Sequence, residues 1–323
     1  MNIDMINAAA QRLDGHVRRT PLLSSPFLDD IAGRRVFVKA ECLQHTGSFK
    51  FRGAWSALSA MDPETRSRGV IAFSSGNHAQ GVAKAATEYG VPSVIVMPSD
   101  APALKIANTR ALGAEVVLYN RDTESREDVG DRIVAERGLT LVKPYDEPLV
   151  IAGQGTCGLE IAEDAHAMGV SEAEVLVCCG GGGLTSGIAL ALEADAPGMR
   201  VRPVEPEGFD DVTRSLKSGH REINNRASGS ICDAILTPQP GEITFPIMQR
   251  LVSPGIVVSE EECLRTMAQV FLRLKLVAEP GGAAALAAAL YHAGEVESDT
   301  VICTISGGNV DAPMFTRALE TLV

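Results

Sequence analysis

Short β-branched runs alternate with Ala-rich amphipathic stretches along almost the whole chain, and this alternation limits the available folds more than any other feature. Val36–Val38, Val70–Phe73, Val94–Met97, Val116–Tyr119, Val175–Cys179, Val201–Val204 and Val301–Ile305 read as strands. Their apolar character is continuous, so both faces of each strand must be covered. Strand and helix in alternation then predict an α/β, doubly wound architecture with mostly parallel sheets. Two groups of βα units separate, one from about Gly47 to Lys143 and another from Gly153 onward. The strand at Val36 is expected to join the second group. Residues 1–46 plus 144–323 would then form a large domain and residues 47–143 a smaller inserted one. The Ala- and Leu-rich stretch Pro280–His292 is expected to be packed all round. The mixed-charge stretch TESREDVGDRIVAER reads as an exposed helix.

Composition excludes several classes of function. A 323-residue chain that is 45% apolar can bury a large core. Its longest apolar stretches fall well short of the roughly 20 residues that span a bilayer, so no membrane span is expected. The first residues, MNIDMINAAAQRLDGHVRRT, lack the apolar core of a secretory signal, which makes the cytoplasm the expected compartment. Seven scattered cysteines without CxxC spacing read as reduced thiols. A formal charge of −12 with no basic stripe argues against nucleic acid as a partner and leaves a small molecule.

Four turns carry the candidate chemistry. In Thr46-Gly-Ser-Phe-Lys50-Phe-Arg-Gly-Ala54 a lysine lies between two phenylalanines, and apolar neighbours favour its neutral, nucleophilic amine. A lone lysine of this kind more often lays its stem on an apolar surface and its head in water. Cys179-Gly-Gly-Gly-Gly-Leu184-Thr-Ser-Gly follows one strand and opens a helix, so its N–H groups and the helix dipole suit a phosphate. A dinucleotide turn competes, with Glu205 about 20 residues on, but GGGGLTSG has Thr185 or Ser186 where GxGxxG needs its third glycine. Ser74-Ser-Gly-Asn-His-Ala-Gln80 offers hydroxyls, an amide and helix N–H groups to a carboxylate, or is merely an N-cap. Ile305-Ser-Gly-Gly-Asn-Val-Asp311 closes the last strand. In an open parallel sheet such strand ends face one crevice.

The ordered set GSFKFRGA, SSGNHAQG, AGQGT, GGGGL, VEP and SGGNVD resembles the fold-type II pyridoxal-phosphate enzymes (tryptophan synthase β-like), and within them the serine/threonine dehydratases and serine racemases. The resemblance covers nearly the whole chain. It implies two doubly wound domains with pyridoxal 5'-phosphate between them, held by Lys50 as a Schiff base. It further implies that Phe49 packs beside the pyridine ring and Asn77 bonds the phenolic oxygen. Gly180, Gly181, Gly182, Gly183 and Leu184 would cradle the phosphate, and Ser306 would meet the ring nitrogen. A hydroxyl there leaves the ring neutral and a weaker electron sink, which favours prompt β-elimination over a long-lived carbanion.

The implied reaction is dehydration and deamination of a small hydroxy-amino acid such as L-threonine, L-serine or 3-hydroxyaspartate, with Lys50 as base. Ser74, Ser75, Gly76, Asn77 and His78 would hold the substrate carboxylate. Ser75 matches the serine that reprotonates the opposite face in the racemases, so amino acid racemisation with side dehydration is the alternative. Arg126 matches a position that can face a second carboxylate, although an exposed salt bridge is its more common fate. Glu205, the Phe209 carbonyl and Asp211 resemble the family's site for Mg2+ or Ca2+, against the simpler reading of a solvated acidic helix start. Two departures stand out: Cys232-Asp-Ala234 replaces Ala-Asp-Gly, and His45 replaces a nucleotide-binding lysine, which argues against ATP as an effector. Homodimers are usual in the family.

Overall fold

A computed structural model describes residues 1–101, 103–120 and 122–322. Its strands are β1 (Leu22–Ser24), β2 (Arg35–Lys39), β3 (Val70–Phe73), β4 (Ser93–Pro98), β5 (Glu115–Tyr119), β6 (Thr140–Leu141), β7 (Ala173–Cys178), β8 (Met199–Pro206), β9 (Ile256–Val258) and β10 (Thr300–Thr304). All seven expected strands are present, with ends moved by one or two residues. Cys179 and Ile305 lie just past β7 and β10, in the turns. The three additional strands, β1, β6 and β9, are two or three residues long, too short to show a period.

The strands form two sheets. One has the order β1-β2-β10-β7-β8-β9 and the other β5-β4-β3-β6. Every pairing is parallel except that of β1 with β2. The continuous apolar runs are thus explained: β4 and β7 are buried along their whole length. β2 belongs with the late strands, because the C-terminal β10 inserts between it and β7. That insertion matters for the site. It places the segment after β2, which leads to Lys50, beside the turn after β10.

Helix Pro280–Tyr291 is buried at every position from Pro280 to Leu290. Its alanines let it lie close against the large sheet, where it packs on β7, β8 and β10. Helix Arg126–Arg137 is the expected exposed helix, buried only at Val129, Gly130 and Ile133. No helix among the described residues is long and apolar enough to cross a membrane.

Helix Pro148–Ala167 packs on both helix Lys50–Ala60 and helix Gly183–Asp195, and so joins the two parts of the site. The crossing with the latter is backbone against backbone. A Cβ on Gly187 would stand 2.6 Å from Gly155 N and from Ile151 O. Gly187→Ala is therefore expected to lower the melting temperature by overpacking, at a cost of about 1–3 kcal/mol. Thermal unfolding followed by circular dichroism checks it; an unchanged melting temperature would show that the crossing relaxes freely.

Candidate active site

The segment carrying Lys50 and the turn after β10 are stitched together by main-chain bonds. Ser48 forms a β-bridge with Gly307. The Phe49 N–H donates to Ser306 O at 3.2 Å, and the Gly308 N–H to Gly47 O at 2.9 Å. Lys50 then begins helix Lys50–Ala60, at the mouth of a crevice whose opposite wall is the glycine turn after β7.

Lys50 Nζ donates to Pro144 O at 2.7 Å and lies 5.0 Å from the centre of the Phe49 ring. The residue keeps some surface open to the crevice, but protein surrounds its amine. Desolvation lowers its pKa from the usual 10.5 to about 8.

Phe49, Lys50, Cys178, Gly180 to Thr185, Tyr145, Gln154, Ala234, Ile235 and Thr237 line one cavity. Glycine is required in its wall. A Cβ on Gly181 would stand 2.2 Å from the Tyr145 ring, and Gly182 has a φ of +91°. Gly183 opens helix Gly183–Asp195, whose first N–H groups have no partner within the helix. Thr185 Oγ1, Thr237 Oγ1 and Gln154 Oε1 are buried there without a hydrogen-bond partner among the described residues. Two orphan hydroxyls beside a helix N-terminus and bare glycines fit a phosphate-bearing group. Ala234 and Ile235 form the facing wall, so the departure at Cys232-Asp-Ala234 does put side chains in the cavity lining.

Asn77 begins helix Asn77–Tyr89 just after β3. Its Nδ2 donates to Glu279 Oε1 at 2.6 Å, and its Oδ1 accepts from Asn309 Nδ2 at 2.7 Å. Ser306 is buried at the end of β10, beside the Cys178 thiol. Glu279 is buried too, and desolvation raises its pKa to about 8. Sequence reasoning assigned no role to Glu279, Tyr145, Gln154, Thr185, Thr237 or Asn309. Gln154, Thr185 and Asn309 lie inside the AGQGT, GGGGLTSG and SGGNVD motifs; Glu279, Tyr145 and Thr237 carry no local signal.

The Ser74 hydroxyl accepts from the Gly76 N–H at 3.2 Å and shapes the turn in which Ser75 lies. The His78 imidazole points inward: Nε2 lies 2.8 Å from Val142 O and Nδ1 is buried without a partner. Burial and the nearby Lys50 charge lower its pKa to about 3, so the ring is neutral. His78 can therefore offer the crevice its helix N-terminal N–H, not a cationic ring. Arg126 is half exposed and pairs with Glu127 at 2.6 Å. Its charge is felt at Tyr145 in the cavity wall. His45 leans edge-on against Phe51, with ring centres 5.0 Å apart.

Glu205 ends β8, and its carboxylate accepts from the N–H groups of Val212 at 2.8 Å and Thr213 at 2.7 Å and from the Thr213 hydroxyl at 2.6 Å. Asp211 Oδ1 accepts from Asn224 Nδ2 at 2.6 Å, while Oδ2 is buried without a partner. Burial raises both pKa values, and the Asp211 charge adds to the rise at Glu205. The Phe209 ring lies under the Arg226 guanidinium at 5.0 Å. Among the described residues no group of three or more His, Cys, Asp or Glu side chains gathers as a metal cluster.

Two parallel sheets, a desolvated lysine at the crevice between strand ends and a glycine cradle opposite define a class of cofactor-dependent enzymes. Comparison with known proteins agrees: the family described as pyridoxal-phosphate dependent enzyme matches residues 13–307. The chain is 44% identical over 312 residues to an L-threo-3-hydroxyaspartate ammonia-lyase of Saccharomyces cerevisiae, covering 97% of this chain and 94% of that one. It is 38% identical to a serine racemase of Schizosaccharomyces pombe, covering 98% of this chain and 97% of the relative. A crystal structure of the T.th. threonine deaminase superposes with a TM-score of 0.91 at 44% identity, covering 96% of this chain and 99% of that one. This protein belongs to the fold-type II pyridoxal-phosphate dependent enzymes.

The Lys50 environment makes a prediction that needs no cofactor. In the chain freed of any bound aldehyde, acylation of Lys50 followed by mass spectrometry should rise with pH through a midpoint near 8 and then level off. Exposed lysines should keep rising toward about 10.4. A Lys50 profile that coincides with theirs would show that its amine is solvated.

Proposed function

We propose that this enzyme removes water from a small β-hydroxy amino acid to give an enamine, which on release takes up water and hydrolyses to a 2-oxo acid and ammonia. The observation that carries the reading is the enclosed Lys50 amine, with its pKa lowered to about 8, which lines one cavity together with the glycine turn Gly180 to Gly183. Relatives named L-threo-3-hydroxyaspartate ammonia-lyase, at 44% and 43% identity, and L-threonine ammonia-lyase, at 39%, support it.

Bound pyridoxal phosphate supplies an electron sink that acidifies the Cα–H of an attached amino acid. In this reading Gly180 to Gly183, Leu184 and the Thr185 hydroxyl would hold its phosphate, Asn77 would donate to its phenolic oxygen and Phe49 would pack beside its ring. Ser306 serves the ring nitrogen as a neutral partner. Lys50 would hold the cofactor, and its amine would take the α-proton; a pKa lowered from 10.5 to about 8 raises the neutral fraction available near neutral pH well above that of an ordinary lysine. The N–H groups at the start of helix Asn77–Tyr89 and the hydroxyls of Ser74 and Ser75 receive the substrate carboxylate. The proton that Lys50 takes from Cα would balance the one with which the β-hydroxyl leaves as water. Arg126 is assigned to the second carboxylate of hydroxyaspartate, for which its present partner Glu127 would exchange; an exposed pair of this kind is worth little.

Racemisation is the second reading. Ser75 in the SSGN turn favours it, as do relatives named serine racemase. A further reading concerns organisation: residues 1–46 plus 144–323 act as the large domain and 47–143 as the small one, in keeping with the two sheets. Seven free thiols suit a reducing cytoplasm. The exposed apolar side chains Phe27, Ile31 and Phe271 suit a homodimer.

A substrate panel tests these assignments. Serine, threonine and 3-hydroxyaspartate are each assayed for 2-oxo acid, ammonia and the opposite enantiomer. Lyase products that vanish in Lys50→Ala are expected, with the visible cofactor band lost as well. Arg126→Ala should lower kcat/KM for hydroxyaspartate about 10- to 100-fold while sparing serine. Enantiomer without 2-oxo acid would reverse the order of the two readings, and full racemisation in Ser75→Ala would remove that residue as an acid.

Glu205, Asp211 and the Phe209 carbonyl are assigned to Mg2+ or Ca2+. The buried, unpartnered Asp211 Oδ2 close to a second carboxylate is the kind of oxygen such a cation completes. Added Mg2+ or Ca2+ should raise the melting temperature of the wild type and leave Asp211→Asn unmoved. A melting temperature and activity indifferent to both cation and chelator would overturn the assignment.

A further inference from the structure

The two ends of an asparagine amide have nearly the same shape, so something must decide which one faces a ligand. At Asn77 the decision can be traced through a chain of bonds. Asn309 Nδ2 lies 2.7 Å from the Thr46 carbonyl oxygen. A carbonyl only accepts, so the end of Asn309 that faces it must be the NH2 group. The same nitrogen lies 2.7 Å from Asn77 and can give its second hydrogen only to an oxygen. The Asn77 carbonyl is thereby turned toward Asn309. Its NH2 is turned toward Glu279, which accepts one hydrogen at 2.6 Å and leaves the other.

Glu279 cannot make this choice alone. Burial raises its pKa to about 8, so near neutrality it is largely protonated, and a protonated carboxyl can donate as well as accept. The Thr46 carbonyl has no such freedom. Thr46 itself holds a φ of 60°, a left-handed conformation that threonine rarely adopts. Two glycines clear the space for the chain. A Cβ on Gly47 would stand 2.7 Å from Asn309 Oδ1, and one on Gly307 would collide with Glu279 Oε1.

We propose that Asn309 is a positioning residue that orients the Asn77 amide, so that an N–H and not a carbonyl is presented to the cofactor's phenolic oxygen. The inference rests on the reading above that pyridoxal phosphate lies against Asn77. Asn309→Asp keeps the shape but cannot donate, so the Asn77 amide should turn over to bond the introduced carboxylate and show lone pairs to the crevice. Asn309→Ala leaves Asn77 undirected.

The test is a titration of the cofactor-free chains with pyridoxal phosphate, read as Kd and as the position of the visible band, with apo melting temperatures as a folding control. Kd should weaken about tenfold in N309D and about threefold in N309A, in line with the loss of one hydrogen bond. The N309D band should also move. Because Asn309 acts through Asn77, the N77A/N309D double variant should bind no more weakly than N77A alone. Should N309D fail to fold, N309A and N77A/N309A answer the same question. Wild-type Kd and band in the Asn309 variants, with loss only in N77A, would overturn the proposal. So would losses that multiply in the double variant. No visible band in the wild type itself would instead refute the cofactor reading, and this inference with it.

Discussion

A single buried guanidinium holds the site-bearing helix in place. Arg52, two residues after Lys50, is fully enclosed. It donates to both oxygens of Glu41 at 2.8 Å and to both oxygens of Glu160 at 2.7 and 2.8 Å. Burial opposes its charge, yet the Glu41 and Glu160 carboxylates hold its pKa well above the ordinary value. Lys39, at the end of β2, adds a 2.7 Å bond to Glu160, and Thr20 one of 2.5 Å to Glu41. Three elements are thereby clamped: the strand before Lys50, the helix that begins with it, and helix Pro148–Ala167. Such a pair gives little net stability compared with apolar packing, but removing one partner from it leaves a stranded charge. Its effect is geometric. It sets the start of helix Lys50–Ala60 against the backbone of Pro144.

With that helix fixed, desolvation does the chemical tuning. The same enclosure lowers Lys50 to about 8, raises Glu279 to about 8 and keeps His78 neutral. No ion pair is needed at Lys50, whose shift comes from burial alone. The glycines let this enclosure close: Gly181 admits the Tyr145 ring, and Gly307 admits Glu279. Polar groups are left unpaired where a cofactor would meet them, as at Thr185 and Thr237.

Much of this was legible in the chain. Strands of four residues or more were visible because burial on both faces makes them unbroken β-branched runs. β1, β6 and β9 were not, because two or three residues have no period and owe their pairing to neighbours. Lys50, the glycine turn, Asn77 and Ser306 stand out in the chain because each lies in a recognisable polar or glycine motif beside a strand end. Arg52 and Glu279 do not, since a charged residue reads as solvated until its partners are known. Glu41 is 11 positions from Arg52, and Glu160 is 108. His78 lies in the polar motif after β3, but its ring direction depends on Val142, which belongs to another segment.

By itself, then, the order of residues determined the alternation of strand and helix, the parallel class of sheet and the family of turns that end the strands. These follow from local periodicity and from backbone rules that act over a few positions. Only the tertiary structure decided that the last strand inserts between β2 and β7 and so brings Ser306 and Asn309 to the Lys50 segment. It alone decided that Arg52 is enclosed, that Glu279 faces Asn77 and that the Asn77 amide has a direction. Those outcomes depend on desolvation and hydrogen-bond satisfaction between groups far apart in the chain, 202 positions for Asn77 with Glu279 and 232 for Asn77 with Asn309, and no local pattern encodes them.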